Sequence, residues 1–135
     1  MKQALRKLQE MTGLEIITRE EAAGVTIVVL KGAIDAYSYT KLEETLNNLI
    51  AQEAYKLIVD LSRVDYTASH GLGLLAGLLG VVRKNSGNMV LLNPKPAVRE
   101  TLELLGLDHL FTITKDKDSA VKALTKYSSK DYLPD

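Results

Sequence analysis

Residues 56–88 place the strongest constraint on how this chain can fold. They open with a short apolar run, residues 57–61, that is rich in β-branched residues and does not alternate with polar ones, as is typical of a strand buried on both faces. A polar segment, residues 62–68, follows and is predicted to be a loop. Residues 69–82 are too long and too apolar for a strand, and the basic pair Arg83-Lys84 that follows is a common helix-stop signal. The stretch therefore predicts a strand, a loop and a helix at the centre of the domain.

The predicted helix is apolar on every side, so it either lies in the core or carries an apolar face for a partner. Gly73, Gly77 and Gly80 fall along one side of it. We interpret this glycine stripe as a place where a neighbouring strand or helix packs closely inside the domain. A membrane-spanning helix is not predicted, because the apolar run is shorter than the ~20 residues that a bilayer requires.

Ser69 stands where this helix is expected to begin. A serine at a helix start usually accepts a hydrogen bond from a backbone N–H of the first turn, which makes Ser69 a candidate N-cap. The same position lies at the positive end of the helix dipole, where a phosphate on the hydroxyl would be stabilised. The residues alone leave both interpretations open.

The sequence around Ser69 resembles a family signature. The string is Thr67-Ala68-Ser69-His70-Gly71-Leu72-Gly73. It is similar to the motif of STAS domains, Asp-Ser-Ser/Thr-Gly-Leu/Ile-Gly, which occur in anti-sigma factor antagonists and in the cytoplasmic parts of sulphate transporters. Another segment of the chain, Lys31-Gly32-Ala33-Ile34-Asp35, looks like a second signature segment of that family. Ala68 stands where the family has an aspartate, and His70 stands where it has a second hydroxyl residue.

The resemblance covers most of the chain and implies its fold. It predicts an α/β protein with a single STAS-like domain over residues 14–127, in which a mixed, mostly parallel sheet of about five strands packs with about four helices. Residues 1–13 would be an N-terminal helical extension, and residues 128–135 a polar C-terminal tail. Within the extension, residues 1–11 carry an amphipathic pattern that we expect to pack on the domain or between two copies, which would form a homodimer.

The resemblance also implies a function. It predicts an anti-sigma factor antagonist, not an enzyme, that acts by partner switching. The unmodified protein would bind an anti-sigma factor that also serves as a serine kinase; the kinase would phosphorylate Ser69, and a serine phosphatase would reverse the step. The remaining residues of the expected partner-binding surface are Asp35, Tyr37, Thr67, Ala68, His70, Gly71 and Leu72. The departures at Ala68 and His70 favour an alternative, a STAS scaffold that binds partners in a bacterial signalling complex without phosphorylation.

Composition bounds the other function classes. Lys and Arg number 17, as do Asp and Glu, so the net charge is zero and predicts neither nucleic-acid binding nor an anionic membrane surface. The chain has no cysteine and only two histidines, so we predict no disulfide, metal or cofactor. No signal-peptide pattern is present, and a cytoplasmic protein is expected.

Two catalytic alternatives are weaker. A hydrolase nucleophile elbow needs Gly-x-Ser-x-Gly directly after a strand, but Thr67 takes the place of the first glycine and the predicted strand ends too early. His70, adjacent to Ser69 on a helix, would point away from it. Asp60 at the end of an apolar strand suggests a phospho-acceptor aspartate, but the acidic pair that would hold its metal is missing. We expect Asp60 to bind backbone N–H groups instead.

The rest of the pattern alternates strands with helices. An antiparallel hairpin, residues 14–31, is predicted to end where Gly32 breaks its second strand, and Asp35 or Ser38 would cap the helix that follows. The other predicted elements are a strand at 89–92, a helix at 97–105 with Val98, Leu102 and Leu105 inward, a strand at 111–114, and a last helix from Asp118 or Ser119 through Leu124. One of Tyr37 and Tyr39 is expected to be exposed, and the pattern does not distinguish them.

Overall fold

The computed structural model of the chain describes residues 13–125. Residues 1–12, and with them the predicted amphipathic segment, lie outside the described residues, as does the polar tail. The described part contains five strands and four helices, so the prediction of an α/β domain is confirmed.

One sheet contains all five strands in their sequence order. The strands are β1 (Leu14–Glu20), β2 (Thr26–Ile34), β3 (Lys56–Thr67), β4 (Asn88–Leu92) and β5 (Thr112–Thr114). The first pair is antiparallel and the other three are parallel, as predicted. The helices are α1 (Tyr39–Ala51), α2 (Ser69–Lys84), α3 (Pro96–Leu104) and α4 (Lys117–Thr125).

The strand order explains how the helices are distributed. Each parallel strand lies beside its predecessor, always in the same direction across the sheet, and right-handed crossovers then place every connecting helix on one face. Side chains of α1, α2 and α3 accordingly share one core cluster with Leu57, Val59 and Leu61 of β3. Helix α4 covers the other face, where Ala120 and Leu124 pack in a smaller cluster. Strand β3 is therefore buried on both faces, as its apolar run predicted.

The predicted polar loop at residues 62–68 is wrong, because β3 continues through it to Thr67. Pairing with β2 advances from Asp60 to Arg63 while β2 advances only from Val29 to Lys31, so β3 holds an extra residue there. The Asp60 carboxylate accepts a hydrogen bond from the Ser62 backbone N–H at 2.9 Å, which confirms the role expected for Asp60.

Strand β2 likewise does not break at Gly32 but runs on to Ile34. Gly32 has φ +117°, and a Cβ atom there would lie 2.3 Å from the carbonyl oxygen of Gly13. The glycine thus marks an irregular but continuous strand. The segment of the family motif that ends in Asp35 is consequently the end of β2.

The glycine stripe of α2 is exposed, so the prediction of close internal packing there is wrong. Gly73, Gly77 and Gly80 have open space where a Cβ atom would lie. The buried side of the helix carries larger residues, Leu72, Leu75, Leu79 and Val82, together with Gly71. The residue types of the helix are apolar on every side, but only its buried side carries a continuous row of large side chains.

Two other helix ends differ from expectation. Helix α3 starts at Pro96, one residue before the predicted start, and Leu105 follows its last residue and is 42% exposed, not inward. Helix α4 starts after Asp116, whose carboxylate accepts a hydrogen bond from the Ser119 backbone N–H at 2.8 Å. That bond, and a second one from the Ser119 hydroxyl, lower the pKa of Asp116. Asp116 thus caps α4, which starts at Lys117, one residue before the nearer of the two predicted starts, Asp118 and Ser119.

Candidate functional site

The carboxyl ends of β2 and β3 bring the two family-like segments together. Ile34 and Thr67 are paired in the last position of the two strands. The Ala68 backbone N–H then donates to the Ile34 carbonyl at 2.7 Å. The start of α2 and the loop between β2 and α1 therefore lie side by side at one end of the sheet.

That loop is closed by hydrogen bonds around Asp35. Its carboxylate accepts from the backbone N–H groups of Tyr37 at 2.9 Å and Ser38 at 3.0 Å. The Ser38 hydroxyl, which is buried, donates to the Ala33 carbonyl at 2.8 Å instead of capping α1. Asp35 thus closes the turn that precedes α1, while Tyr37 is left 94% exposed at its tip.

Ser69 is the first residue of α2 and is exposed. Ala68 holds the N-cap position with extended backbone, φ −69° and ψ 152°, so the prediction that Ser69 caps the helix is wrong. The Ser69 hydroxyl makes no hydrogen bond to another residue between 13 and 125, and no acidic residue lies in the first turn. This leaves the hydroxyl accessible at the positive end of the helix dipole.

His70 is also exposed, and its ring packs against Tyr39. The two ring centroids are 4.8 Å apart with a tilt of 39° between the planes. This contact resolves which tyrosine is exposed, because Tyr39 is half-buried under the histidine and Tyr37 is free. Tyr39 was not among the site residues predicted from the sequence, since its contact with His70 is made between two helices.

Thr67, Gly71 and Leu72 are buried and position the site without presenting side chains to solvent. A Cβ atom on Gly71 would lie 2.5 Å from Cγ2 of Ile34 and 3.1 Å from the Thr67 hydroxyl oxygen. The glycine therefore lets the start of α2 approach the strand ends closely. Leu72 belongs to the main core cluster.

Three further residues near this end of the sheet were not selected from the sequence. Tyr66, next to the end of β3, is 56% exposed. Asp65 and Lys95 form an exposed ion pair at 2.5 Å that joins the end of β3 to the start of α3. Periodicity did not indicate Asp65 and Tyr66 because they lie in the predicted loop at residues 62–68, and Lys95 lies just before α3, outside every predicted element.

Other chemistry is limited in the described part of the chain. Among residues 13–125, no three His, Asp or Glu side chains come together where they could hold a metal ion. The Asp108 and His109 side chains lie 3.5 Å apart in the turn after α3, with His109 92% exposed. None of the helices in this range is long and apolar enough to cross a bilayer.

The sequence of this chain is similar to that of a known domain family and of several bacterial regulators. The profile of the STAS domain family matches residues 17–120. BtrV of Bordetella bronchiseptica, provisionally named an anti-sigma factor antagonist, is 28% identical over 107 residues, which are 79% of this chain and 92% of BtrV. The anti-sigma-B factor antagonist of Listeria monocytogenes is 30% identical over 86 residues, which are 64% of this chain and 75% of that protein.

A solved structure agrees with both sequence relatives. The crystal structure of an anti-sigma factor antagonist from Mycobacterium paratuberculosis superposes with a TM-score of 0.71 and 26% identity, covering 83% of this chain and 94% of the other. The family profile alone spans well over half of the chain. The chain therefore belongs to the STAS domain family.

Proposed function

We propose that this protein is an anti-sigma factor antagonist that acts by partner switching, with Ser69 as its phosphorylation site. The observation that carries the proposal is the exposed hydroxyl of Ser69 at the start of α2, beside the closed loop that presents Tyr37. The relatives that are named as anti-sigma factor antagonists support the functional class.

The proposed contact area, here called the Ser69 surface, consists of Asp35, Tyr37, Ala68, Ser69 and His70. Its partner would be a cytoplasmic anti-sigma factor with serine kinase activity, and a serine phosphatase would restore the unmodified state. The exposed tyrosine supplies an aromatic anchor of the kind that is enriched in protein interfaces. The buried residues of the family motif would hold this surface in shape.

A phosphate on Ser69 is expected to act on binding and not on folding. It adds about 1.5–2 negative charges at pH 7. The helix dipole and the absence of acidic residues in the first turn of α2 favour that charge within the protein. A partner that covers the Ser69 surface would have to desolvate or repel it, and a loss of about 2.7 kcal/mol would lower the affinity roughly a hundredfold.

The first test is mass spectrometry of phosphopeptides from the full chain isolated from its own cells, with the co-purified proteins identified in the same sample. The proposal expects phosphate on Ser69 and an ATPase-fold serine kinase among the bound proteins. An unmodified Ser69 under growth and stress conditions, with partners still bound, would contradict the phosphorylation switch.

A second test uses matched variants in the same capture experiment. Ser69→Ala should retain partners under all conditions, and Ser69→Asp should release them. Ser86→Asp places the same charge on an exposed serine beyond the other end of α2 and serves as the control. Equal release by the two aspartate variants would show that the charge is not read at the Ser69 surface.

One alternative has specific support, namely a STAS scaffold that binds its partner without phosphorylation. Ala68 removes the aspartate that precedes the family serine, and His70 is held against Tyr39 in place of a second hydroxyl residue. In that case neither Ser69 variant would change partner capture, whereas Tyr37→Ala would still reduce it.

A further inference from the structure

Strand β1 forms an edge of the sheet. Within residues 13–125 it pairs only with β2, so no strand of this range covers the backbone donors and acceptors of its other side. At one end the Lys41 ammonium donates to the Leu14 carbonyl at 3.0 Å. Ile17, in the middle of the strand, is 46% exposed. An edge of this length with an exposed apolar residue is a template for pairing with another strand.

We propose that β1 pairs with β1 of a second copy of the chain. The pairing would be antiparallel about a two-fold axis at Ile17, and it would join the two sheets edge to edge. A two-fold axis is the usual symmetry of a homodimer. The proposal is independent of the function of the Ser69 surface, which lies at another part of the domain.

The charges of β1 are self-complementary in this register. Glu15, Ile17 and Arg19 alternate onto one face of the strand, the face away from α1. With Ile17 on the axis, Glu15 of each copy lies opposite Arg19 of the other. The two exposed Ile17 side chains then meet between two pairs of opposite charge, a combination that stabilises antiparallel strands.

The other face of β1 is consistent with the same register. Ile16 would lie opposite Thr18 of the second copy, and Leu14 opposite Glu20. Because the Lys41 ammonium lies at the Leu14 carbonyl, it would face the Glu20 carboxylate of the second copy. An axis at Ile16 would place Glu15 opposite Ile17 of the second copy, and an axis at Thr18 would place Arg19 opposite Ile17. Either shift would lose both pairs of opposite charge.

Introduced cysteines test the register directly, since the native chain has none. In the proposed dimer the Cα atoms of the two Ile17 residues lie about 5 Å apart, within the range of a disulfide. Those of the two Thr18 residues lie about 8 Å apart, beyond it. Ile17→Cys should therefore form a disulfide dimer under mild oxidation, and Thr18→Cys should not. Equal cross-linking of both variants would overturn the register.

Charge reversal tests the association by sedimentation of the full chain. Arg19→Glu alone and Glu15→Arg alone each create two like-charge pairs and should weaken the dimer by about tenfold or more. Mixing these two variants restores both opposite-charge pairs and should recover the association. Glu44→Arg, on the exposed side of α1, is the control and should leave it unchanged.

Glu15 also pairs with Lys31 of β2 in the same chain, so a substitution there could disturb β1 itself. The thermal unfolding of each variant is therefore compared with that of the wild type to check that the strand is intact. The wild-type chain must form dimers for the proposal to stand. A chain that stays monomeric at about 100 µM would overturn the dimer proposal, even if another segment of the chain were found to cover β1. It would not affect the proposed function of the Ser69 surface.

Discussion

Ala68 determines what the start of α2 offers to a ligand. It occupies the N-cap position with no side-chain acceptor, and its carbonyl accepts from the Gly71 N–H at 3.0 Å. The N–H groups of Ser69 and His70, the first two of the helix, therefore have no side-chain cap. An aspartate there would occupy them and would add a negative charge beside Ser69, at a gain in helix stability of about 1 kcal/mol. The alanine thus exchanges some stability for an N-terminus that is open to an acceptor such as a phosphate.

Gly71 gives the clearest prediction for a single residue. Gly71→Ala should destabilise the protein by about 1–3 kcal/mol, because the new methyl group would overlap with the branched, buried side chain of Ile34. Gly73→Ala is the matched control, two residues further along the same helix and with open space around it. There the better helix propensity of alanine should add up to about 1 kcal/mol.

Urea unfolding of the two variants measures both effects. The two substitutions add the same methyl group within one helix, so a difference in sign separates packing from propensity. A Gly71→Ala variant as stable as the wild type would mean that α2 can move away from β2 without cost.

At the scale of elements, the sequence predicted the fold best where inward residues keep a regular spacing. Between residues 13 and 125 the predicted strands and helices exist, and the apolar run of β3 is buried on both faces. Beyond Asp60, the buried positions are Leu61, Val64 and Thr67, a spacing of three residues instead of two. Each extra residue in the pairing with β2 shifts the alternation by one, which is why periodicity indicated a loop.

The misplaced glycine stripe has a related cause. A pattern of residue types counts glycine as apolar, but glycine contributes little area to a core. Whether such a stripe faces a neighbour or solvent depends on which side carries the large residues, and in α2 that is the side of Leu72, Leu75 and Leu79. The contact of His70 with Tyr39 could not be predicted either, since it depends on the packing of α1 beside α2.

Three of the helices are terminated by the same backbone conformation. Helices α1, α2 and α3 are each followed, two positions after the last helical residue, by a residue of positive φ; these are Glu53, Ser86 and Gly106 respectively. In each, the following N–H bonds back to the carbonyl five residues earlier, as in a Schellman motif. Ser86→Gly and Glu53→Gly should each stabilise the protein by about 0.5–1 kcal/mol, because glycine adopts this conformation without strain.

Gly106→Ala is the opposite substitution at the third helix end and should destabilise by about 1 kcal/mol, although nothing lies within 4 Å of the added methyl group. Chemical denaturation of the three variants provides the comparison. The same sign of change for Ser86→Gly and Gly106→Ala would contradict the assignment of these ends to backbone conformation.

For the whole molecule, the same crossover rule that gathers α1, α2 and α3 on one face leaves α4 as the single helix of the described residues on the other. Helix α4 is anchored by Ala120 and Leu124, and by an ion pair of Lys117 with Glu21 at 2.9 Å. Exposed ion pairs contribute little to stability. The two faces of the sheet are thus stabilised by cores of very different size, and α4 is expected to open separately from the rest of the domain.

Hydrogen exchange measured by mass spectrometry tests this separation. Leu124→Ala removes most of the apolar contact of α4, so its amides should lose protection by a larger factor than those of α2 and β3. Leu75→Ala, in the larger core, should lower the free energy of global unfolding by about 2–5 kcal/mol and reduce the protection of α2 and β3. If Leu124→Ala instead reduced protection equally throughout the sheet and the helices, α4 would be part of the same cooperative unit. The smaller cluster would then contribute to global stability as the larger one does, despite its size.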